Sequence, residues 1–378
     1  MFCSAPWTTV QIKNDGQFSY CCMSRDPMGN DINDNRLVEG RQKIIDGEVL
    51  PVCQEKCLDI EHLFSSQRQD LNRRWPIKNP VAARANPEHI EYIDLRMGNI
   101  CNYMCLMCGD RDSHLWGKAN NKENPYISWA KDPEQYKRIM DFIASCKNLK
   151  CISLAGGEPF YNKKQLFDVI DRLDRNIELK FITNMSFCDD EIIAKLNEFK
   201  KGRMHCSIDG VGKWIETQRY KSNWENVEHN TLKFARELHD EWEMRLVPTF
   251  TVINTYGVVE FMDWIHDVFL PSSKNAVWGF TICKWPDTMS LYHIPIDTRR
   301  KFVETLRSRN YTNMLNLSRL CDALEKDITI DDKVLQQTEN YFKYVAHAAK
   351  FNVDSVVPEI IEELFGKTKL DAWEKHIV

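Results

Sequence analysis

Residues 92–108 read YIDLRMGNICNYMCLMC. YIDLRM is a strand candidate, Gly98 and Asn99 break it, and Cys101, Cys105 and Cys108 follow within eight residues. The three cysteines therefore sit on a loop at the carboxyl end of a strand, where parallel α/β sheets and barrels place their chemistry. Outward from this strand, residues 90–285 repeat the arrangement. Further strand candidates are CISLA (151–155), LKFIT (179–183), MHCSI (204–208), VPTFTVI (247–253) and VWGFTI (277–282). Amphipathic helices fall between several of them. Leu166, Ile170 and Leu173 share one face, as do Ile192, Leu196 and Phe199, and then Phe261, Ile265 and Phe269. Asp189 and Asp190 are placed to cap the second of these helices. Such alternation argues for parallel strands with right-handed crossovers, in an α/β sheet or an open barrel. The largely apolar strands fit a sheet covered on both faces.

The chain has 378 residues, room for two or three units. Its 50 Lys and Arg against 55 Asp and Glu give a formal charge of −5 without a long like-charged run, so bulk charge does not suggest a nucleic-acid partner. At 43% hydrophobic and 28% charged residues it is neither disordered nor embedded in a membrane. No stretch reaches the roughly 18 apolar residues of a membrane span, and the N-terminus lacks a secretory pattern, so the expected location is cytoplasmic. Fourteen cysteines in a reducing compartment point to metal binding before disulfides. Six of them, Cys146, Cys151, Cys188, Cys206, Cys283 and Cys321, are scattered singly and read as small packing residues. Residues 1–65 show short segments with turn chemistry, and 66–88, with Pro76, Pro80 and Pro87, read as a linker. Residues 89–290 carry the strand–helix alternation, and 291–378 are helical and polar.

Three thiolates on one loop can converge on one centre and leave a fourth metal position open. One reading is a zinc site completed by His114. The other is a [4Fe–4S] cluster held by three cysteines, with one iron open to a ligand. The opening segment poses a similar choice. It carries CSAPW, Asn14-Asp15-Gly16, Cys21-Cys22 and Cys53-Gln54-Glu55-Lys56-Cys57. Four separated thiols there could form a zinc tetrathiolate or hold iron and sulfide.

C-x3-C-x2-C after a first strand resembles the signature of the radical S-adenosylmethionine (SAM) enzymes, and later segments extend the likeness over most of 90–285. Gly156, Gly157, Glu158 and Pro159 resemble the family's GGEP motif for the methionine amino group, although Glu158 also suits a helix N-terminus. Thr183 and Asn184, and then Ser207, Ile208, Asp209 and Gly210, resemble segments near the ribose and methionine moieties. Arg219 resembles an arginine that meets the SAM carboxylate, and Asn254 lies beside the expected adenine pocket. Met107 stands where an aromatic residue is frequent. The resemblance implies a partial (β/α)6 TIM-like barrel with a small N-terminal cluster-binding module and a helical C-terminal extension. It implies SAM bound to the open iron of a cluster on Cys101, Cys105 and Cys108. Reductive cleavage would then give a 5′-deoxyadenosyl radical that abstracts hydrogen from substrate.

The N-terminal module is similar to the twitch and SPASM modules that carry auxiliary [4Fe–4S] clusters. The resemblance implies Cys3, Cys21, Cys53 and Cys57 as ligands, with Cys22 spare or alternative. An oxidoreductase acting on a peptide, protein or small molecule is the expected activity, served by an external electron donor such as flavodoxin or ferredoxin. Modification of a nucleotide or sugar is a second reading, and a non-catalytic iron–sulfur or zinc scaffold a third.

Overall fold

The computed structural model describes residues 2–24, 26, 28–61, 65–77, 82–312, 314–328, 332–351 and 353–366. Pro80 of the expected linker and residues 367–378 of the expected extension lie outside the described residues. In chain order the strands are β1 Thr9–Ile12, β2 Phe18–Ser19, β3 Tyr92–Arg96, β4 Met104–Cys105, β5 Cys151–Ala155 and β6 Glu178–Thr183. They continue with β7 Gly202–Cys206, β8 Arg219–Tyr220, β9 Trp242–Leu246, β10 Thr249–Phe250, β11 Ala276–Trp278 and β12 Thr281–Ile282. Eight of them form one mostly parallel sheet in the order β11-β9-β7-β6-β5-β3-β1-β2, interleaved with helices. This is the α/β class expected of a partial (β/α)6 barrel. Among the described residues, no helix is long and apolar enough to cross a membrane.

Two compact units divide the chain. The first comprises Met1–Ile100, Tyr126–Ile182 and Lys195–Arg203. Its opening segment supplies two strands that periodicity did not reveal, because runs of four and two residues are too short to show one. β1 pairs parallel with β3 and antiparallel with β2. The expected linker contains a helix, Gln67–Arg74, opened by a reciprocal capping box between Ser66 and Gln69.

Strand registers give the sheet of this unit two unlike faces. Val10, Ile93, Ile152 and Leu179 stand in one transverse row, and Ile12, Leu95, Leu154 and Phe181 in the next. All eight are buried and apolar. The intervening residues point the other way, and there the rows are Thr9, Tyr92, Cys151 and Glu178, then Gln11, Asp94, Ser153 and Lys180. The largely apolar strands suggested a sheet covered on both faces; Thr9, Gln11, Asp94, Cys151 and Ser153 on the second face are indeed buried, but that face is polar and charged.

The second unit comprises Cys101–Pro125, Thr183–Ala194 and Met204–Val378. The strand expected at 247–253 lies earlier, at β9, where Trp242, Met244 and Leu246 are buried and Glu243 and Arg245 alternate with them. Pro248 lacks the N–H a ladder needs and ends the run. Likewise the expected strand 277–282 splits at Gly279 into β11 and β12. Asp189 caps the following helix as expected, accepting from the Ile192 N–H at 2.8 Å. The C-terminal helices include Ile296–Ser308, Leu317–Leu324, Asp332–Ala349 and Pro358–Phe365. They bury Phe342, Val345, Ile360 and Ile361 in one cluster with Leu106 and Trp116.

Candidate functional site

Backbone pairing explains how the second unit builds its site. Cys105 in β4 lies opposite Arg219 in β8, and the Leu106 N–H donates to Gln218 O at 2.8 Å. That pairing sets the Arg219 Nη1 3.7 Å from Cys105 Sγ and its Nε 2.7 Å from Asp209 Oδ2. Burial works against the Arg219 charge, yet Asp209 and Cys105 hold it above its ordinary value. Asn184 Nδ2 approaches Cys101 Sγ at 3.8 Å. The Cys101 N–H donates to His114 Nδ1 at 3.2 Å, so this histidine nitrogen staples the loop. The Trp116 indole N–H fixes Cys105 O at 3.0 Å, and the Cys108 N–H donates to the same carbonyl at 3.0 Å.

The three thiols lie within one another's electrostatic reach. Burial pushes Cys108 well above the ordinary thiol range, and Cys105, Asp112 and Cys101 add to the rise. Burial also raises Cys105, with Arg219 opposing. Donors aimed at two sulfurs from Asn184 and Arg219 suit thiolates that carry negative charge, as metal-bound ones do.

Among the other expected contacts, Thr183 O accepts from the Ser207 N–H at 2.8 Å. Asp209 Oδ1 accepts from the Thr249 N–H at 2.8 Å, completing its role as a brace. The Asn254 amide is turned inward. It donates to Asp209 O at 2.6 Å and Thr249 O at 2.9 Å, and accepts from the Thr251 N–H at 2.7 Å. Asn254 therefore ties the end of β10 to the Asp209 turn.

In the first unit the GGEP segment packs on the chain that follows β3. The Gly157 N–H donates to Gly98 O at 2.7 Å and the Glu158 N–H to Ile100 O at 2.8 Å. A Cβ on Gly157 would stand 2.1 Å from Ile100 O, so only glycine permits this approach. Glu158 is buried and accepts from the Phe160 N–H at 3.1 Å, opening the turn Pro159–Asn162. Met97, Gly98, Ile100, Gly157, Glu158 and Pro159 line a small cleft with Asn162 and Gln165.

Cys3, Cys21, Cys53 and Cys57 line a second pocket, together with Tyr20, Met23 and Arg68. The wide C-x3-C spacing has a local cause. Cys53 belongs to the helix Pro51–Lys56, and the Cys57 N–H donates to Cys53 O at 3.1 Å, so one helical turn brings both residues to one face. The helix Gln67–Arg74 holds the chain beside Cys3, because Arg68 and Asn72 donate to Phe2 O at 2.9 and 3.0 Å. Burial pushes the Cys3 thiol up to about 12, with Ala5 opposing and Cys53 and Cys57 adding to it. Among the described residues, no group of three or more His, Cys, Asp or Glu side chains is placed to hold a single metal ion. A cubane does not need that convergence, since each thiolate binds its own iron.

Cys22 goes elsewhere. It is exposed yet recessed among protein groups whose desolvation pushes its thiol up to about 11; Asp94 adds to the rise, while Arg96 and Lys180 oppose it. The sequence reading passed over these three charged neighbours. Their signal was present in the strands themselves, as Asp94 and Arg96 two apart in β3 and Lys180 among apolar residues in β6.

Comparison with known proteins bears on residues 95–253, which match the family model described as the radical SAM superfamily. An uncharacterized protein of Methanocaldococcus jannaschii is 26% identical over 127 residues, 32% of this chain and 40% of that one. Streptococcus suis SuiB bound to precursor peptide SuiA is 12% identical, over 72% of this chain and 54% of that one, with a TM-score of 0.37. The radical S-adenosylmethionine methyltransferase TsrM from Kitasatospora setae is 12% identical, over 55% and 37%, with a TM-score of 0.33. The chain thus spans two fifths of the length of the curated relative it matches. On the family match and the motif it encloses, the chain contains a radical SAM superfamily domain over residues 95–253.

Proposed function

We propose that this protein is a radical SAM enzyme that modifies a peptide, protein or small molecule by oxidation through hydrogen abstraction. The observation that carries the reading is the three-thiol loop, with Asn184 and Arg219 directed at its sulfurs. Cys101, Cys105 and Cys108 would hold a [4Fe–4S] cluster, and Cys3, Cys21, Cys53 and Cys57 an auxiliary one. A cluster held by Cys101, Cys105 and Cys108 would, with SAM bound, supply one-electron reductive chemistry at the sulfonium.

The chain's own residues provide the setting. Asn184 and Arg219 stabilise thiolate charge, Asp209 fixes Arg219, and the backbone from Gly156 to Pro159 offers polar groups for the methionine amine. Thr183, next to Asn184 in the chain, and Ser207, two residues before Asp209, would flank the rest of SAM. An external electron donor of the flavodoxin or ferredoxin type would complete the system. The C-x3-C helical turn and the shared pocket support an auxiliary cluster over four unconnected thiols. Such a cluster would accept an electron from a substrate radical and make the net reaction an oxidation.

Anaerobically purified protein reduced with dithionite and given SAM should release 5′-deoxyadenosine and methionine. The Cys101→Ala, Cys105→Ala, Cys108→Ala variant should release neither. A protein that shows a reduced-cluster resonance yet forms no 5′-deoxyadenosine would contradict the enzyme reading.

A further inference from the structure

Apart from its thiols, the pocket of Cys3, Cys21, Cys53 and Cys57 has a single charged group in its wall, Arg68. The Arg68 Nη1 donates to Phe2 O at 2.9 Å, while Nε and Nη2 grip the two oxygens of Glu61, with Nε at 2.8 Å. The Ser66 hydroxyl donates to the same Glu61 carboxylate at 2.6 Å, so carboxylate and guanidinium are both fixed. Burial and Cys57 raise the Cys53 thiol, and Arg68 opposes them.

A second guanidinium lies one layer behind. Arg41 is 1% exposed and is screened from the pocket by two residues of its wall, Pro6 and Tyr20. Its Nε donates to Pro6 O at 2.7 Å, and its Cζ stands 5.3 Å from the centre of the Tyr20 ring. Nη1 donates to Ile32 O at 2.8 Å and to Ala83 O at 3.4 Å. Among the described residues, no carboxylate pairs with Arg41. Burial pulls this group down to about 10, with Tyr20 and Asp31 opposing at range, so it keeps its charge at neutral pH. A buried cation held by carbonyls alone is costly unless an anion nearby offsets it. A cubane on four thiolates is such an anion.

We propose that Arg41 and Arg68 set the reduction potential of the auxiliary cluster proposed above, an assignment that rests on that reading, and make the pocket an electron-accepting site. Reduction adds one negative charge to the cluster, and fixed cations beside it favour that form. In the step served, the substrate radical loses one electron and releases a proton to solvent. The oxidised cluster gains the electron, and the external carrier takes it back. Glu61 works against Arg68 and trims its effect.

The full chain carrying Cys101→Ala, Cys105→Ala and Cys108→Ala leaves one cluster to observe. Electron paramagnetic resonance of samples poised at graded potentials gives its midpoint. Arg41→Met and Arg68→Met should each shift the equilibrium about tenfold toward the oxidised form, about 59 mV for a one-electron couple. Arg41→Lys keeps the charge and should hold the midpoint of the parent. Glu61→Gln should move the midpoint the opposite way, which a loss of structure would not do. If Arg41→Met does not fold, Arg68→Met and Glu61→Gln decide by the same signs. Unchanged midpoints in the methionine variants, or a Glu61→Gln shift in their direction, would overturn the assignment alone. A triple variant free of iron and sulfide would overturn the auxiliary-cluster reading and this assignment with it.

Discussion

Arg219 and Asp209 form an ion pair at 2.7 Å in which both side chains are almost wholly enclosed. Such a pair is expensive to break from one side, because the remaining charge stays buried without its partner. Replacing Arg219 with Met should lower unfolding free energy by about 3–5 kcal/mol, measured by urea denaturation of the metal-free protein. The double variant Arg219→Met, Asp209→Asn should lose less than the sum of the two single changes, since the groups act as a unit. Additive losses would mean that the two side chains do not depend on each other. The motif resemblance marked both residues, but as contacts to SAM. Their mutual pairing depends on the antiparallel match of β4 with β8, two-residue strands that no periodicity could show.

At the scale of elements, the helix Asp332–Ala349 carries side chains that reach the cysteine loop. Tyr341 donates to Leu106 O, and the Tyr344 ring stacks on Trp116 with centroids 6.0 Å apart. His293 anchors the same helix one turn earlier, at Thr338. Its Nε2 lies 2.8 Å from Asp287 O and 3.3 Å from the Thr338 hydroxyl, while Nδ1 is buried with no hydrogen-bond partner. Burial pulls this imidazole below its ordinary pKa, with the Asp287 carbonyl and charge opposing.

The unfolded histidine takes up its proton near pH 6.5 and the native one only at lower pH. Between those values the unfolded chain holds the extra proton, so stability falls as pH drops below about 6.5. His293→Gln should remove that part of the acid slope in a series of urea midpoints, and an identical slope would contradict the burial argument. Sequence periodicity found these helices and most central strands, because each presents a long one-sided apolar pattern. It misplaced the strand at 247–253, where the apolar run crosses Pro248 and the true strand alternates before it. It also gave no reason for C-x3-C in place of C-x2-C, which follows from a helical turn rather than a knuckle.

Across the whole molecule, two groups of thiols stand out from an otherwise scattered set. One lies on the loop after β3 and the other lines the pocket near the N-terminus. The first was legible because its spacing is local in sequence. The second brings Cys3, Cys21, Cys53 and Cys57 together over more than fifty residues, so spacing alone left zinc and iron–sulfur equally open. The charged face of the sheet was the least legible feature. Asp94 and Lys180 fall in strands that look apolar overall, and only the strand registers place them in one row. Iron and acid-labile sulfide analysis of anaerobically purified protein tests the central claim most directly, that the three-cysteine loop holds a cluster of its own. Two cubane clusters predict about eight irons per chain, falling to about four in the Cys101→Ala, Cys105→Ala, Cys108→Ala variant. A triple variant that retained the wild-type iron and sulfide content would contradict it.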